Sequence, residues 1–367
     1  MMQGKMAPAW VRSALIPLLQ LLLALGVSSL VVLMVGEDPL RAFDVMVDGA
    51  LNLQNGGLSS TLYYATNFIF TGLAVALAFK AGLFNIGGEG QAYLGGLGIT
   101  LVCLAFDQSW PMWVMAPVVI LMAALFGAVW GAIPGWLQAR RGSHTVVTTI
   151  MFNFIAASLM GYLVVEHIAK LGGNATDSRY FASSAVFPKL HEWAAGHGIE
   201  LPFSLLNPSL LLALLAAWAV WWLVWRTRLG YAIRVVGENP KAAEYAGIDT
   251  ARIVMIVMAL SGALAGMMAV NEVYGAQNRL IMNFTNGFGF IGIAVALMGR
   301  NHPVGVVLAA LLFGALYQGG TELQFEMQEL NPELIMVIQG LVIFFTGALD
   351  RLIRVPVERW FEPKEPS

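Results

Sequence analysis

Residues Ala81–Thr100 read AGLFNIGGEGQAYLGGLGIT. Seven of them are glycine (Gly82, Gly87, Gly88, Gly90, Gly95, Gly96 and Gly98), with one carboxylate, Glu89, among them and strongly apolar sequence on both sides. Such a stretch suits a phosphate-cradling loop, a loose connector, or a broken element of a path through a membrane. A phosphate loop needs G-x-x-x-x-G-K-[ST], because the lysine reaches the phosphates and the hydroxyl holds magnesium. No Gly-Lys pair followed by Ser or Thr occurs in the chain. A dinucleotide fingerprint follows a strand in a βαβ unit, whereas this stretch lies between two long apolar runs. HEWAAGH sets His191 and His197 six apart, not at the H-E-x-x-H spacing of a zinc protease. His144, His167 and His302 are scattered near the ends of apolar runs. There is no G-x-S-x-G elbow, and the adjacent Ser143 and His144 do not share a helix face. These residues therefore carry no enzyme signature.

The chemistry that remains is that of polar groups inside apolar helices. Asn67, Asn85, Glu89, Thr148, Thr149, Asn153, Asn271 and Glu272 are the candidates, since an ionisable or amide side chain at membrane depth marks a solute path by default. Each also reads as an interhelical hydrogen bond, worth roughly 0.6 kcal/mol on average in a bilayer. Phe288 and Phe290 offer flat faces for stacking, or face lipid. Glu89 has two readings: a pathway carboxylate, or an interfacial group near Lys80 that pairs with a cation or charges a helix N-terminus.

The elements that position these groups follow from composition. The 367 residues are 58% hydrophobic and 11% charged, with mean hydropathy +0.72. A soluble domain carries about 25% charged residues, so lipid must cover much of this chain. The apolar runs are continuous, which disfavours a β-barrel. The expectation is an all-α polytopic membrane protein with about ten spans: Ala14–Val35, Thr61–Phe79, Gln91–Phe106, Met112–Trp136, His144–Val165, Pro208–Trp225, Ile253–Asn271, Asn286–Gly299, Pro303–Gly320 and Glu333–Leu349. The third and eighth are short and glycine-rich. An even number puts both termini on one side. With the N-terminus cytoplasmic, the inner segments hold fifteen of the 20 basic residues and the outer ones only Arg41, Lys170, Arg179, Lys189 and Arg279. The net charge of −2 averages a basic inner face and an acidic outer face, and implies no nucleic-acid partner. The first span follows Lys5 and Arg12 as a signal peptide would, but its apolar run is longer and no small-x-small site follows, so it is expected to be retained. Cys103 is the only cysteine, which rules out an internal disulfide or a cysteine metal cluster.

Two loops stand out. The outer segment Glu166–Asn207 contains Gly172, Gly173, Asn174, Pro188, Gly196, Gly198 and Pro202. It is expected to hold a short surface helix within irregular chain, as a connector or a docking surface. The inner segment Arg226–Arg252 is too basic to insert. Within it Asn239 suits a helix cap, Pro240 the first helical position and Gly247 the stop, which predicts a helix over Pro240–Ala246. Its small face is Ala242, Ala243 and Ala246, beside Tyr245. FIFTGLAVAL (Phe68–Leu77) also aligns with FGFIGIAVAL (Phe288–Leu297) at seven of ten positions. The expected topology runs the two segments in the same direction.

GLAVALAFKAGLFNIGGEGQAYLGG (Gly72–Gly96), GFGFIGIAVALMGRNHPVGVVLAALLFGAL (Gly287–Leu316) and VGENPKAAEYAGID (Val236–Asp249) resemble, in order and spacing, the signatures of the ABC-importer permease family that includes ribose and branched-chain amino acid permeases. The FNIGGEGQ and ENPKAAEYAGI wording looks most like the longer permease of nucleoside uptake systems that use a lipoprotein binding protein of the basic membrane protein family. The resemblance covers most of the chain. It implies a single permease domain over 1–367, with an external loop 166–207, a cytoplasmic coupling loop 226–252 and a cytoplasmic tail 350–367, in a bacterial inner membrane. It implies Glu238, Asn239, Pro240, Lys241, Ala242, Ala243, Tyr245 and Gly247 as the segment that docks on an ABC ATPase. It also implies a second, different permease subunit and an extracytoplasmic substrate-binding protein as partners. This chain would then hold no cofactor, with ATP and magnesium on the ATPase. A simple-sugar permease of the same family is the near alternative. A secondary transporter driven by an ion gradient, with more buried carboxylates, and a passive channel, with no docking helix, are the distant ones.

Overall fold

A backbone surrounded by lipid must satisfy its own amides and carbonyls, and helices do so within one segment. The computed structural model describes residues 8, 11, 15–172, 176–327, 334, 337, 338, 340, 341, 344, 345 and 350–361. Among them there are helices and no strand beyond one antiparallel bridge, Asp177 to Ile281. The chain is an all-α polytopic membrane protein. Seven described helices are long and apolar enough to cross a bilayer, or eight if a bent pair counts as one span. The expected tenth span, Glu333–Leu349, lies largely outside the described residues, as do Ala14, Gly173 and Asn174. The expected eighth span is a helix of 11 residues, about 16 Å long and roughly half the hydrocarbon thickness.

Contacts divide the chain into two units. One comprises residues 1–52 and 316–367. Here α1 (Ile16–Val35) ends at Gly36, whose φ is +91°, and α2 (Pro39–Leu51) starts on an Asp38 cap that accepts from the Leu40 amide at 2.9 Å. The axis turns by 116° between Leu22–Val35 and α2. The buried cluster of this unit joins Val32, Ala42, Val45 and Met46 to Leu323 and Met327.

The other unit, residues 53–315, carries the polar residues singled out above. It comprises α3 (Gly57–Lys80), α4 (Gly88–Phe106), α5 (Met112–Arg141), α6 (Thr145–Leu163), α7 (Leu190–Ala195), α8 (Ser209–Arg226), α9 (Arg228–Glu238), α10 (Pro240–Tyr245), α11 (Thr250–Ala269) and α12 (Phe288–Met298), with the first half of α13 (Pro303–Glu326). Helix α3 is buried without interruption from Ala65 to Ala78, as an all-round apolar helix should be. Helices α5 and α11 cross antiparallel with backbones in contact: a Cβ on Gly127 would meet the Gly262 carbonyl, and one on Gly131 the Met258 carbonyl. Small residues at this spacing let helices approach in lipid, where apolar burial alone gives no reason to associate. Helices α3 and α12, the two matching segments, pack against each other and run parallel. The Phe68 and Phe288 rings meet at 5.5 Å, Thr71 lies on Gly292, and Val295 lies on Gly72.

Residues 166–207 contain the expected short helix, α7, and are tied down. Asp107, just beyond α4, accepts from Arg179 at 2.7 and 2.8 Å and from the Ala182 amide at 2.8 Å. The inner segment holds more than expected. Helix α9 precedes α10, capped by the Thr227 hydroxyl, which accepts from the Gly230 amide at 3.0 Å. It buries Gly230, Ile233 and Val236 on one face.

Candidate functional site

Two helices begin at one carboxylate. Helix α4 starts at Gly88, and α12 starts after Gly287, whose φ is +78°. The free amides of a helix start attract negative charge. Glu89, in the first turn of α4, accepts from the Gly287 amide with Oε1 and from the Gly289 amide with Oε2, each at 2.7 Å. A Cβ at Gly289 would come within 2.4 Å of the Glu89 amide nitrogen, so only glycine permits this approach. The turn into α12 also holds Asn283 and Asn286 at φ 59° and 45°.

Glu89 thus stands as a charge at a helix N-terminus, as part of its second reading had it, but not beside Lys80. Phe288 packs on Phe68, twelve residues and about 18 Å of helix from Lys80. Lys80 instead sits 5.4 Å over the Trp225 ring. The chain from Ala81 to Gly87 runs back alongside α3, and side chains hold it there. Asn85 donates to Gln91 at 2.9 Å and to Ser261 at 2.8 Å, and Ser261 donates to the Ala74 carbonyl at 2.6 Å. On α6, Asn153 donates to the Ile86 carbonyl and accepts from the Gly90 amide, both at 2.9 Å, and Thr149 accepts from the Ile86 amide at 3.3 Å.

Beside Glu89 lies a cavity of about 350 Å³, lined in part by Tyr93, Asn153, Asn283, Thr285 and Phe290. Tyr93 donates to Asn283 at 3.1 Å. The Thr285 side chain is buried beside Glu89 and Tyr93. Phe290 is 47% exposed. Among the described residues no lysine, arginine or histidine lines the cavity. The site can therefore hold a solute by hydroxyl and amide contacts against an aromatic face, next to a buried carboxyl group.

The structure divides the remaining sequence candidates among other settings. Phe288 is buried between Phe68 and Tyr64 and presents no face to a solute. Thr148 donates back to the Thr145 carbonyl of its own helix at 3.0 Å. Asn67 belongs to a separate buried network. Its amide and the Tyr63 hydroxyl each donate to Oε1 of Glu272 at 2.5 Å. Asn271 donates to Asn67 Oδ1 at 2.8 Å, and Asn207 donates to Asn271 at 2.9 Å. Glu272 and Asn271 stand in a π-helical turn, Val270–Ala276, that continues α11. Sequence reasoning flagged neither Tyr93 nor Thr285. Tyr93 was visible four residues after Glu89, on the same face of a helix.

At the inner segment, Asn239 Oδ1 caps α10 by accepting from the Ala242 amide at 3.1 Å, and Gly247 takes φ +77° just beyond the helix. Tyr245 is 95% exposed, whereas Ala243 is fully buried. Ala243 therefore anchors the helix and leaves Ala242, Tyr245 and Lys241 on its outer side. Glu238, Asn239 and Ala242 border a groove of about 280 Å³ with Tyr231 and Arg234. Pro240 occupies the first helical position.

Residues 57–347 match the family described as branched-chain amino acid transport system / permease component. The chain is 37% identical over 339 residues (92% of it and 88% of the relative) to the glucose ABC transporter permease protein TsgB13 of Haloferax volcanii. It is 34% identical over 346 residues (91% and 93%) to the guanosine ABC transporter permease protein NupP of Bacillus subtilis. It is 34% identical over 338 residues (91% and 90%) to the nucleoside ABC transporter permease protein NupB of Lactococcus lactis.

Proposed function

The chain belongs to the branched-chain amino acid transport system permease family and is a permease subunit of an ABC transporter, and from that premise we propose that it carries nucleosides into the cell. The observation that carries the substrate reading is the pairing, in one cavity, of an exposed aromatic ring with hydroxyl and amide groups. A nucleoside has a flat base for the ring and a ribose for the polar groups. The guanosine and nucleoside permeases among the relatives support it. A simple sugar is the second reading, favoured by the glucose permease.

Transport proceeds by alternating access across the bacterial inner membrane. A binding protein delivers solute to the outer face. The ATP and magnesium reside on a separate ATPase, whose closure reaches the spans through Glu238 to Gly247. The outward position of Tyr245 and Ala242 supports that docking. The cavity stands open on the side of Phe154 and Phe290, where a second permease subunit closes it. Glu89, Asn153 and Phe290 line the cavity that takes solute, and Asn85 holds the segment that carries Glu89. Asn67, Thr148 and Phe288 support the helices that do so. Both termini and the 350–367 tail are cytoplasmic, and residues 166–207 are external.

The test is uptake of tritiated guanosine by cells in which this chain is deleted and then restored. Restored uptake that excess adenosine suppresses and excess glucose does not supports the nucleoside reading. The reverse pattern supports the sugar reading. Unchanged uptake after deletion, with both solutes entering normally, removes the import role.

A further inference from the structure

We infer that Glu89 is a resident anion that occupies the anion-attracting junction of α4 and α12 and so restricts the adjoining cavity to neutral, hydroxyl-bearing solutes. Phosphorylated and carboxylated molecules of the same shape are excluded. The inference rests on reading that cavity as part of the solute path.

Converging helix starts are an attractive place for a free anion. Here they are already occupied: both Glu89 oxygens accept backbone amides of α12 at 2.7 Å. An incoming phosphate finds those donors taken. It meets the carboxylate at short range, and among the described residues no lysine, arginine or histidine lines the cavity to hold a second anion there. A second observation points to a ligand. Thr285, fully buried, brings a hydroxyl to the same cavity beside Glu89 and Tyr93. A hydroxyl that donates to a carboxylate keeps lone pairs with which to accept from a sugar hydroxyl. Tyr93 and Asn283 supply a further hydroxyl and carboxamide. Asn153 is different: both ends of its amide are spent on the 86–90 backbone. It sets the position of Glu89 and contacts solute only through its wall.

The experiment is competition binding of tritiated guanosine to the assembled transporter in nanodiscs, without the binding protein. The competitors are guanosine, guanosine 5′-monophosphate, glucose and glucose 6-phosphate. The monophosphate should compete at least ~100-fold more weakly than guanosine, as two like charges at contact distance in a protein environment require. In Glu89→Gln that gap should shrink to below ~10-fold, because the carboxamide keeps one acceptor and loses the charge. Ala157→Lys adds a cation on the exposed cavity wall without touching a buried group. It should narrow the gap by a similar factor, and it decides the matter if Glu89→Gln does not assemble. Thr285→Val should weaken guanosine several-fold while leaving the discrimination intact. Equal competition by guanosine and its monophosphate in the wild type overturns the inference. So does full discrimination retained in the assembled charge variants. If the wild type binds glucose and rejects both guanosine and glucose 6-phosphate, the nucleoside reading falls and the inference stands.

Discussion

Two hydrogen bonds of 2.5 Å converge on one oxygen of Glu272, from a tyrosine and an asparagine more than 200 residues away in sequence. The carboxylate holds α3 to the end of α11. Replacement by leucine strands the Tyr63 and Asn67 donors, at about 1–3 kcal/mol for a buried unsatisfied group. Glutamine keeps an acceptor. Melting in detergent should therefore rank wild type above Glu272→Gln and both well above Glu272→Leu; equal melting of the glutamine and leucine variants would count against the network. Asp107 is the corresponding group outside the spans. Burial raises its pKa, but Arg179 and the Ala182 amide outweigh that and hold its carboxyl below the usual aspartate range. A folded value below the unfolded one means stability that is present above the unfolded pKa of about 3.9 and lost as pH falls through the folded value. The melting difference between wild type and Asp107→Asn should be full at pH 7 and shrink below about pH 4. At this scale the sequence was half legible. Asn67, Asn271 and Glu272 stood out as polar residues in apolar runs, but pairing between α3 and α11 has no local signature. Glu89 was read near Lys80 because the two are nine residues apart, and the backward course of residues 81–87 depends on Asn85 and Asn153 meeting partners that sequence does not name.

Among the elements, the most regular signals gave the most. Asn239, Pro240 and Gly247 delimit α10, as capping chemistry requires. Helix α9 escaped notice because basic residues dominate its segment, although Ile233 and Val236 lie three apart on its buried face. Helix α12 fills nearly all of the expected Asn286–Gly299 segment, and at 11 residues it is too short to cross the hydrocarbon on its own. The Gly127, Gly131 and Gly135 spacing was in plain view four residues apart, yet glycine is so common here that only the partner stripe on α11 gives it meaning. At α10, burial separates two neighbours. Ala242→Glu should leave the fold intact and abolish guanosine uptake while the ATPase continues to hydrolyse ATP. Ala243→Glu should instead lower the yield of folded protein, because it puts a charge where Ala243 is fully buried. Normal uptake in Ala242→Glu would remove the docking role.

At the scale of the molecule, composition settled the class and charge asymmetry proposed the orientation. The number of spans was less accessible, because a half-length helix and a bent pair both break the rule of one apolar run per crossing. Orientation is directly testable, since Cys103 is the only cysteine and is fully buried. A membrane-impermeant maleimide should label Glu200→Cys in intact cells and Lys241→Cys only after permeabilisation. Labelling of Lys241→Cys in intact cells, with Glu200→Cys labelled only after permeabilisation, would invert the topology and place α10 away from any cytoplasmic ATPase.

The glycine seam between α5 and α11 also has a mechanical consequence. Helices that interdigitate through side chains can slide past one another as rotamers change. Gly127 and Gly262 meet backbone to backbone, and a carbonyl pressed on a Cα has no rotamers with which to absorb shear. The two helices are therefore expected to move together. Because α11 begins four residues after Ala246 with its cap at Asp249, the proposed docking helix adjoins one end of that seam.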